Sequence, residues 1–483
     1  MNEQHSLPAS SGHPRRWLIL AVILLAEIMD LMDGTVTIVA TPAIHADLHA
    51  GATAIQWITG GYALALAVSL ITGGRLGDRY GRKRLFVIGT AGFTLASLAC
   101  AVAPSTDVLI AARLVQGTFA AILLPQGFGL LRAVFPADEL PKAFALFGPV
   151  IGLSAVVAPA LGGFLVGLGS WRWVFVVNLP IGIAAVAFAL RLVPEDRAER
   201  PPRVDGAGAA LITLAATALI LPLIQGRELG WPAWTFVSMA ASLVLFVLFG
   251  RHVVRRARAG TDPLVTPAVF RRRGYSGGLA VILVFFGGMI GLMLTLTLHL
   301  QLALGFTATH AGVTLIPLSL AMAVGATLSG GFLAQRFGRH VLQAGLLVFP
   351  LGALLVASEV SGATALSTWD VTPGLVVAGF GIGLVVAPLF DVILAGVGDD
   401  EVGSASGTLN AVQQLGSAIG VAVLGTVFFG AIGAHGSDGA LERVLWIVAG
   451  AQVFAALLAF LLPRRAREED AAHGAAVAVG SAA

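Results

Sequence analysis

The chain has 483 residues, of which 57% are hydrophobic and only 11% are charged. Together with a mean hydropathy of +0.89, this composition excludes an ordinary soluble protein, in which about a quarter of the residues are charged. The single cysteine, Cys100, excludes an intrachain disulfide framework.

Apolar stretches long enough to cross a bilayer recur along nearly the whole chain. A helix needs about 20 apolar residues to cross a hydrocarbon core of about 30 Å, and the sequence contains fourteen such stretches. Lipid cannot hydrogen-bond to the backbone, and continuous runs of this length differ from the alternating pattern of barrel strands. We therefore predict an all-α integral membrane protein with fourteen transmembrane helices.

An internal repeat divides these helices into two groups. The segment "GGRLGDRYGRKRLF" at 73–86 is similar to "GGFLAQRFGRHVLQ" at 330–343, an offset of 257 residues. Parallel repeats of this kind are typical of transporters, with the substrate site near the midplane where the halves meet. In chain order, we predict a cytoplasmic leader (1–16), an N-terminal six-helix bundle (17–203), two extra transmembrane helices (204–254), a basic cytoplasmic linker (255–274), a C-terminal six-helix bundle (275–463) and a disordered cytoplasmic tail (464–483).

The positions of Lys and Arg predict the orientation. With a cytoplasmic N-terminus, 25 of the 29 basic residues lie in cytoplasmic segments, and the positive-inside rule then places both termini in the cytoplasm. Arg172, Arg227 and Arg443 lie in the opposite loops, and Arg113 lies inside a span. Because the basic residues follow the loops, the net charge of +3 does not indicate nucleic acid binding. We expect a multi-pass protein of the inner (cytoplasmic) membrane.

The first span carries three carboxylates, Glu27, Asp30 and Asp33. Their spacing of i, i+3 and i+6 places them along one side of a helix. Within a span, an ionised acid costs about 2.5–3.5 kcal/mol or more, and neighbouring buried carboxylates oppose each other's ionisation. At least one should hold a proton until water, a cation or an arginine reaches it, as a proton-coupled carrier requires. The alternative is a polar helix face packed against Arg113 for structure.

Arg113 in the fourth span needs partners, either an anion or backbone carbonyls, because a charged residue inside a span normally faces the protein interior. In the first half, the acids that could serve are those of the first span, and Gln116 lies about one helical turn from Arg113. We predict that protons are coupled by the acids Asp33, Glu27 and Asp30, with Arg113 as their candidate cation. We predict that the substrate cavity is lined by Asp33, Glu27, Gln116, Gln126 and Asn178.

Several motifs resemble those of the major facilitator superfamily. The loop "GGRLGDRYGRKR" at 73–84 resembles its signature between spans 2 and 3, and "LIAARLVQGTFAA" at 109–121 resembles its span 4 signature. Other segments resemble the fourteen-span drug:proton antiporter branch of that family: "LMDGTVTIVATPAI" at 31–44, "APALGG" at 158–163, "WRWVFVVNLPIG" at 171–182 and "QQLGSAIGVAVLG" at 413–425. The span 5 segment departs from the antiporter pattern at Ala158, where the signature has glycine.

The resemblance implies roles for particular residues. It assigns Asp33 as the motif acid of span 1 and links the span 4 arginine to proton coupling. The residues that we predict to control conformational change are Gly74, Asp78, Gly81, Arg82, Pro159, Gly162 and Gly163. The glycines permit tight turns and close helix contacts, Asp78 can accept from arginine or backbone donors, and Pro159 removes a backbone hydrogen bond. In the second repeat, Gln335 replaces Asp78.

Taken together, these patterns predict a secondary active exporter, not an enzyme, that exchanges inward-flowing protons for small lipophilic or cationic compounds by alternating access, as in multidrug or antibiotic efflux. No GxxxxGK[ST] motif or metal-ligand spacing is present, so we expect no cofactor and no metal. Membrane lipid is the expected surrounding, and a monomer is favoured. The alternatives are a proton-coupled nutrient importer, a membrane-embedded enzyme using His299, and a non-transporting sensor. Outside the enzyme alternative, we interpret His299 and Asp391 as packing or interfacial residues.

Overall fold

The structure is a computed structural model that describes residues 13–136, 139–196, 204–362, 367–395, 397–398 and 401–463. Within these ranges the chain is helical and has no β-strand. Residues 1–12 of the predicted leader, residues 197–203 before the extra helices and the predicted tail lie outside the described residues.

The helices follow one another with short connections. The first part of the chain forms α1 (Arg16–Leu48), α2 (Ala52–Tyr80), α3 (Arg82–Ala101), α4 (Thr106–Val134), α5 (Leu140–Ala145), α6 (Phe147–Gly167), α7 (Trp173–Val176) and α8 (Asn178–Leu192). The middle part forms α9 (Gly206–Gln225), α10 (Ala233–Arg258) and α11 (Pro267–Phe270). The last part forms α12 (Arg273–Leu298), α13 (Ala308–Thr314), α14 (Ile316–Leu328), α15 (Ala334–Phe337), α16 (Arg339–Gly362), α17 (Thr368–Leu394) and α18 (Val402–Leu458). Two π-helical segments, His299–Ala303 and Ser329–Leu333, extend α12 and α14.

Eleven helical segments of the described chain are long and apolar enough to cross a membrane. The first helix, α1, is not among them, although it is 33 residues long, and it carries the three acids of the first span. The last helix, α18, has 57 residues and is interrupted at Gly436, whose backbone (φ 68°, ψ 178°) is not helical. The predicted all-helical membrane fold is confirmed, whereas the number of fourteen spans stays a prediction.

The sequence repeat is also a repeat of structure. The offset of 257 residues carries the start of α1 at Arg16 onto the start of α12 at Arg273, and the start of α3 at Arg82 onto that of α16 at Arg339. The turns before α3 and α16 each contain a glycine with positive φ, 104° at Gly81 and 54° at Gly338. Such backbone is strained for any residue with a Cβ, so both copies of the motif need glycine at this turn.

The two repeats are joined by hydrogen bonds toward one end of the molecule. Gln56 of α2 donates through Nε2 to the carbonyls of Val421 (3.3 Å) and Ala422 (3.1 Å) in α18. Gln301 donates to the Val39 carbonyl of α1 at 2.9 Å. These contacts lie toward the end where α1 stops and α2 starts, which we call the closed end. The other end, where α2 stops and α3 starts, carries the arginine-rich loop and is called the basic end.

Small residues let the helices within each repeat approach closely. In α17, the backbone at Gly379 and Gly383 lies directly against the carbonyls of Leu318 and Met322 in α14, where any Cβ would collide. Without a hydrophobic driving force between helices in lipid, this close packing supplies much of the association energy. Packing between helices therefore explains glycine at positions such as these.

The two extra helices lie at the side of the repeats. α9 packs against α2 and α18, and α10 packs against α9. Only 11% of the apolar segment of α10 is buried in the protein, as expected for a helix that faces lipid along most of its length. α9 thus bridges one helix of the first repeat and one of the second.

A buried carboxylate fastens the two extra helices to each other at the basic end. Asp205, which is 1% exposed, caps α9 by accepting from the Gly208 N–H at 3.0 Å, and it also lies 2.9 Å from Nε2 of His252 in α10. Burial raises the pKa of Asp205, but the hydrogen bonds from Gly208 and His252 and the nearby Arg256 guanidinium outweigh it, so the pKa is lowered from its usual value. Ionised Asp205 therefore stabilises the folded state. This stabilisation is fully present above the pKa that Asp205 has in the unfolded chain, and it is lost as the pH falls through the lower pKa of the folded protein.

The turn glycine gives a test of this fold. We expect Gly81→Ala to lower the free energy of unfolding by about 1–3 kcal/mol, because the alanine would have to adopt a left-handed backbone. Gly250→Ala is the matched control: Gly250 lies within α10, and a Cβ there would meet nothing within 4 Å. The control should be neutral or stabilising by up to about 1 kcal/mol. Thermal unfolding of both variants in detergent checks this, and equal midpoints would contradict it.

Candidate functional site

A buried ion pair stands at the centre of the first repeat. The Arg113 guanidinium in α4 donates through Nη1 to Asp33 Oδ2 in α1, and each residue is 1% exposed. Arg113 also donates through Nη1 to Gln116 Oε1 at 2.6 Å and through Nε to the Ile58 carbonyl of α2 at 3.1 Å. The two partners that were predicted as alternatives are both present, since Arg113 binds an acid and a backbone carbonyl.

Two amides complete the surroundings of the Asp33 carboxylate. Gln116 Nε2 and Asn178 Nδ2 donate to Asp33 Oδ1 at 2.9 and 2.8 Å. Both amides also donate to Ser97 Oγ in α3, at 2.7 and 3.2 Å. Helices α1, α3, α4 and α8 therefore meet through one network. Because a buried charge is tolerated when it is paired and hydrogen-bonded, this network is what allows Asp33 and Arg113 to be buried together.

Asp30 is connected to the same arginine through an aromatic ring. The Tyr62 hydroxyl of α2 donates to Asp30 Oδ1, and the Arg113 guanidinium lies 4.2 Å from the centroid of the Tyr62 ring. A guanidinium at this distance over an aromatic face is held by a cation–π interaction. Asp30 is 7% exposed. Tyr62 thus relates the second acid to the ion pair without a direct contact between Asp30 and Arg113.

Glu27 differs from the other two acids. Its side chain is partly exposed and, among the described residues, it has no hydrogen-bonding or ion-pair partner. On α4 it lies beside Gly127, where a Cβ would be 3.4 Å from Glu27 Oε1. Beside Asp33, a Cβ added to Gly34 would meet nothing within 4 Å, so there is open space next to α1 at this level. The three acids therefore form a series from partnered (Asp33) to unpartnered (Glu27).

The residues predicted to line the cavity lie in two different places. Gln116 and Asn178 belong to the buried network around Asp33. Gln126 does not: it is 1% exposed and donates to the carbonyls of Gly73 in α2 and Ile122 in α4, both at 2.9 Å. In this conformation its amide joins α2 to α4 and is not available at a cavity surface.

The predicted gating residues of the loop between α2 and α3 form a compact ionic contact. Arg82 donates to Asp78 Oδ1 at 2.8 Å and to Asp196 Oδ2 at 2.8 Å, so the start of α3 is tied both to α2 and to the segment after α8. Gly81 provides the turn, and Gly74 packs against Pro125 of α4, with 3.5 Å between a Cβ there and the proline. The side chain of Gln335, the counterpart of Asp78, lies outside the described residues.

The predicted residues of the fifth span lie at a contact between the repeats. Gly162 packs against Val36 in α1, and the Gly163 carbonyl accepts from Thr309 Oγ1 of α13 at 2.8 Å. The backbone of Pro159 lies directly against Gly312. Any sliding of one repeat on the other must therefore pass through these small residues.

His299 and Asp391 take no part in the network. His299 is buried at the start of the π-helical segment and lies 3.1 Å through Nδ1 from Ser437 Oγ. Asp391 is exposed near the end of α17. Both positions agree with their interpretation as packing or interfacial residues.

Sequence reasoning missed two members of the network, Tyr62 and Ser97. Each stands among other uncharged polar residues of its span, such as Thr59 in α2 and Thr94 in α3, and such residues read equally well as ordinary packing. For Tyr62 a signal was present, because a buried tyrosine hydroxyl needs a hydrogen-bonding partner.

Comparisons with known proteins identify the family. The sequence profile described as "Major Facilitator Superfamily" matches residues 23–421. The chain belongs to this superfamily. As a member, it is a multi-pass membrane transporter. This agrees with the resemblance seen in its motifs.

Among relatives, the chain is 51% identical over 429 residues to a protein named "Probable actinorhodin transporter" from Streptomyces coelicolor, covering 88% of this chain and 74% of that one. It is 36% identical over 434 residues to the "Tetracenomycin C resistance and export protein" of Streptomyces glaucescens, covering 88% and 78%. Its fold is similar to a crystal structure of a peptide transporter of the POT type, with a TM-score of 0.68 at 15% identity, covering 93% and 94% of the two chains. At that identity the last comparison supports the fold alone.

The buried pair gives a second prediction. Arg113→Leu leaves the Asp33 carboxylate buried without a cation, which should cost about 3–5 kcal/mol of stability. The double variant Asp33→Asn/Arg113→Leu should recover part of this loss, with a coupling energy of about 1 kcal/mol or more. Unfolding by dodecyl sulfate titration in mixed micelles measures all the variants. Additive losses would contradict the ion pair.

Proposed function

We propose that the protein is a proton-coupled exporter that exchanges inward-flowing protons for small lipophilic or cationic compounds. The observation that carries this proposal is the buried Asp33–Arg113 pair with two further acids on the same helix face, Asp30 and Glu27. The names of the relatives support efflux of antibiotics, since one is called an export protein for tetracenomycin C and another a "Puromycin resistance protein" from Streptomyces alboniger, 35% identical over 428 residues.

We further propose fourteen membrane crossings, as in the drug:proton antiporter branch. Eleven helical segments qualify by length and composition. Two of the other three crossings are α1, whose acids face the protein, and α6. The third is gained because α18 is divided at Gly436 into two helices that each cross the membrane. The extra pair is then α9 and α10, and both termini lie on the basic end, which we take as the cytoplasmic side because it carries most of the arginines.

Within this proposal the three acids have different tasks. Asp33 is fully partnered in the observed conformation, because it faces the Arg113 guanidinium and two amide donors. Glu27 has no such partners among the described residues and is partly exposed, so it is the group that water or a substrate cation can reach first. Asp30 stands between them, linked to Arg113 by Tyr62. A proton or a substrate arriving at Glu27 changes the charge that Asp30 and Arg113 experience, since charges interact strongly in a low dielectric.

The hydrogen bonds between the repeats support an inward-facing state. Gln56, Gln301 and Thr309 join the repeats toward the closed end, which lies outside in the proposed orientation. Alternating access then requires these contacts to break and others to form at the basic end. The small residues of α6 provide a surface on which the repeats can slide.

The proposal is tested with proteoliposomes and ethidium as the probe compound. With the lumen acidic, protein in the inverted orientation should accumulate ethidium. Asp33→Asn and Glu27→Gln should reduce this accumulation to the level of protein-free liposomes, because an amide cannot carry the proton. Asp107→Asn, an exposed acid in the first turn of α4, is the matched control and should retain the activity.

A second readout separates coupling from folding. Ethidium counterflow without a pH gradient needs binding and rocking but no net proton movement, so at least one of the two variants should keep it. If both variants accumulate ethidium at the rate of the unmodified protein, the assignment of these acids is wrong.

The direction of coupling is a separate prediction. We expect an acidic lumen to drive uptake of the probe into the vesicles and an alkaline lumen to drive its release, because proton and compound move in opposite directions. An importer would show the reverse dependence. Measuring ethidium fluorescence while the sign of the imposed gradient is switched distinguishes the two.

A further inference from the structure

Two of the three arginines that the sequence assigns to the loops opposite the basic clusters meet around one recess. Arg227 follows α9 and Arg443 lies in the second part of α18. The recess has a volume of about 310 Å³ and is lined, among others, by Arg227, Trp231, Thr426, Gly430, His435 and Arg443. It opens at the closed end, on the side that we take as extracellular. Arginine is uncommon in these loops, yet two of the three arginines line the same recess.

The charge of the recess is not balanced by acids. Arg443 Nη2 lies 2.6 Å from His435 Nε2, and because a guanidinium can only donate, this nitrogen is the acceptor. Among the described residues, no carboxylate lies within ion-pair distance of Arg443. Arg227 has Glu228 only at 3.7 Å, and Glu228 Oε1 accepts from the Thr53 N–H at 3.1 Å. The recess therefore has a net positive charge and unused guanidinium donors.

An aromatic side chain is held at the same place by strained backbone. Trp231 has φ 55°, which is outside the favoured regions for a bulky residue. Its backbone N–H donates to the Gly226 carbonyl at 2.7 Å. A Cβ at Gly226 would lie 2.7 Å from the Trp231 ring, so glycine is needed for this position of the indole. Trp231 is 37% exposed. Backbone strain of this kind tends to occur where a side chain serves a ligand.

The floor of the recess belongs to the contact between the repeats. Thr426 Oγ1 donates to the Leu223 carbonyl of α9 at 2.7 Å and accepts from Gln56 Nε2 of α2 at 3.3 Å. A ligand in the recess would therefore touch the point where the first repeat, the second repeat and the extra helix pair meet.

We infer that this recess is a binding site for a small aromatic anion, one that carries a carboxylate, sulfonate or phenolate on a planar ring. The guanidinium of Arg443 would bind the anionic group, and Trp231 with the imidazole of His435 would pack against the ring. Planar anions suit arginine because its donors form a fixed fork. The site is separate from the acids of α1, whose charge would repel such a ligand. This inference goes beyond the proposed export function.

The test measures binding at equilibrium to the full chain in phosphatidylcholine nanodiscs, with labelled naphthalene-2-sulfonate as the probe. Arg443→Gln should weaken binding roughly tenfold or more, the usual loss for a hydrogen bond to a charged group. Arg443→Lys keeps the charge and should lose less. Arg172→Gln is the matched control: Arg172 is the third arginine at this end, but it is paired with Asp47 at 2.7 Å, so its replacement should leave probe binding unchanged.

Two further ligands identify the chemistry. Naphthalene-2-methanol, the neutral analogue, should bind at least roughly tenfold more weakly than the sulfonate if charge is recognised. Octane-1-sulfonate, which resembles a lipid in having an anionic head and an alkyl chain, should also bind more weakly if the ring is recognised.

Equal binding of the alcohol, an unchanged affinity in Arg443→Gln or an equal loss in Arg172→Gln would overturn the assignment. Tighter binding of the alkyl sulfonate would show a lipid headgroup site instead. Circular dichroism of each variant establishes that it is folded. Because no flux is measured, these outcomes do not depend on whether the protein exports the probe.

Discussion

The first repeat depends on a single interaction, the ion pair between Asp33 and Arg113. An unpaired arginine inside a span is costly, and so is an unpaired carboxylate. Together, with Gln116 and Asn178 as additional donors, they satisfy each other and fix the relative positions of α1, α4 and α8. The surrounding helices are apolar and rich in small residues, so they pack closely but with little directional preference. The polar network supplies that preference, because its hydrogen bonds require particular relative positions of the helices.

The same pair divides the three acids by function. A proton placed on Asp33 would leave Arg113 buried without a counter-charge. The other buried acid of α1 is Asp30. It accepts a hydrogen bond from the Tyr62 hydroxyl, and the ring of Tyr62 lies against the Arg113 guanidinium. Under the proposed function, the position of the proton and the position of the arginine are therefore linked. A row of acids three residues apart suits this purpose, since it offers one cation successive partners along one helix.

Much of this arrangement could be predicted from the sequence, and the exceptions are instructive. The helices, their repeat and the need of Arg113 for an acid in α1 follow from hydropathy, from the 257-residue offset and from the cost of a buried charge. Which acid it would bind did not follow, since that depends on how α1 and α4 cross. Gln126 was grouped with the cavity residues, yet it lies about 220° around α4 from Arg113 and binds carbonyls between α2 and α4. Spacing on the helix could have separated the two. For Tyr62 the sequence indicated only that a buried hydroxyl needs a partner; that the partner is Asp30 depends on how α1 and α2 pack.

A physical route leads from the acids to the contact between the repeats. Arg113 touches α2 twice, through the Ile58 carbonyl and the Tyr62 ring. Two residues before Ile58 on the same helix, Gln56 donates to carbonyls of α18 and to Thr426, which in turn donates to α9. A shift of Arg113 from Asp33 toward Asp30 would move these neighbours on α2 and with them the amide that holds α18. The acids need not reach the second repeat themselves, because α2 is a rigid element shared by the charge network and the closing contact. This explains why the second repeat can lack counterparts of the acids, having Ile290 at the position equivalent to Asp33 and Val284 at that of Glu27.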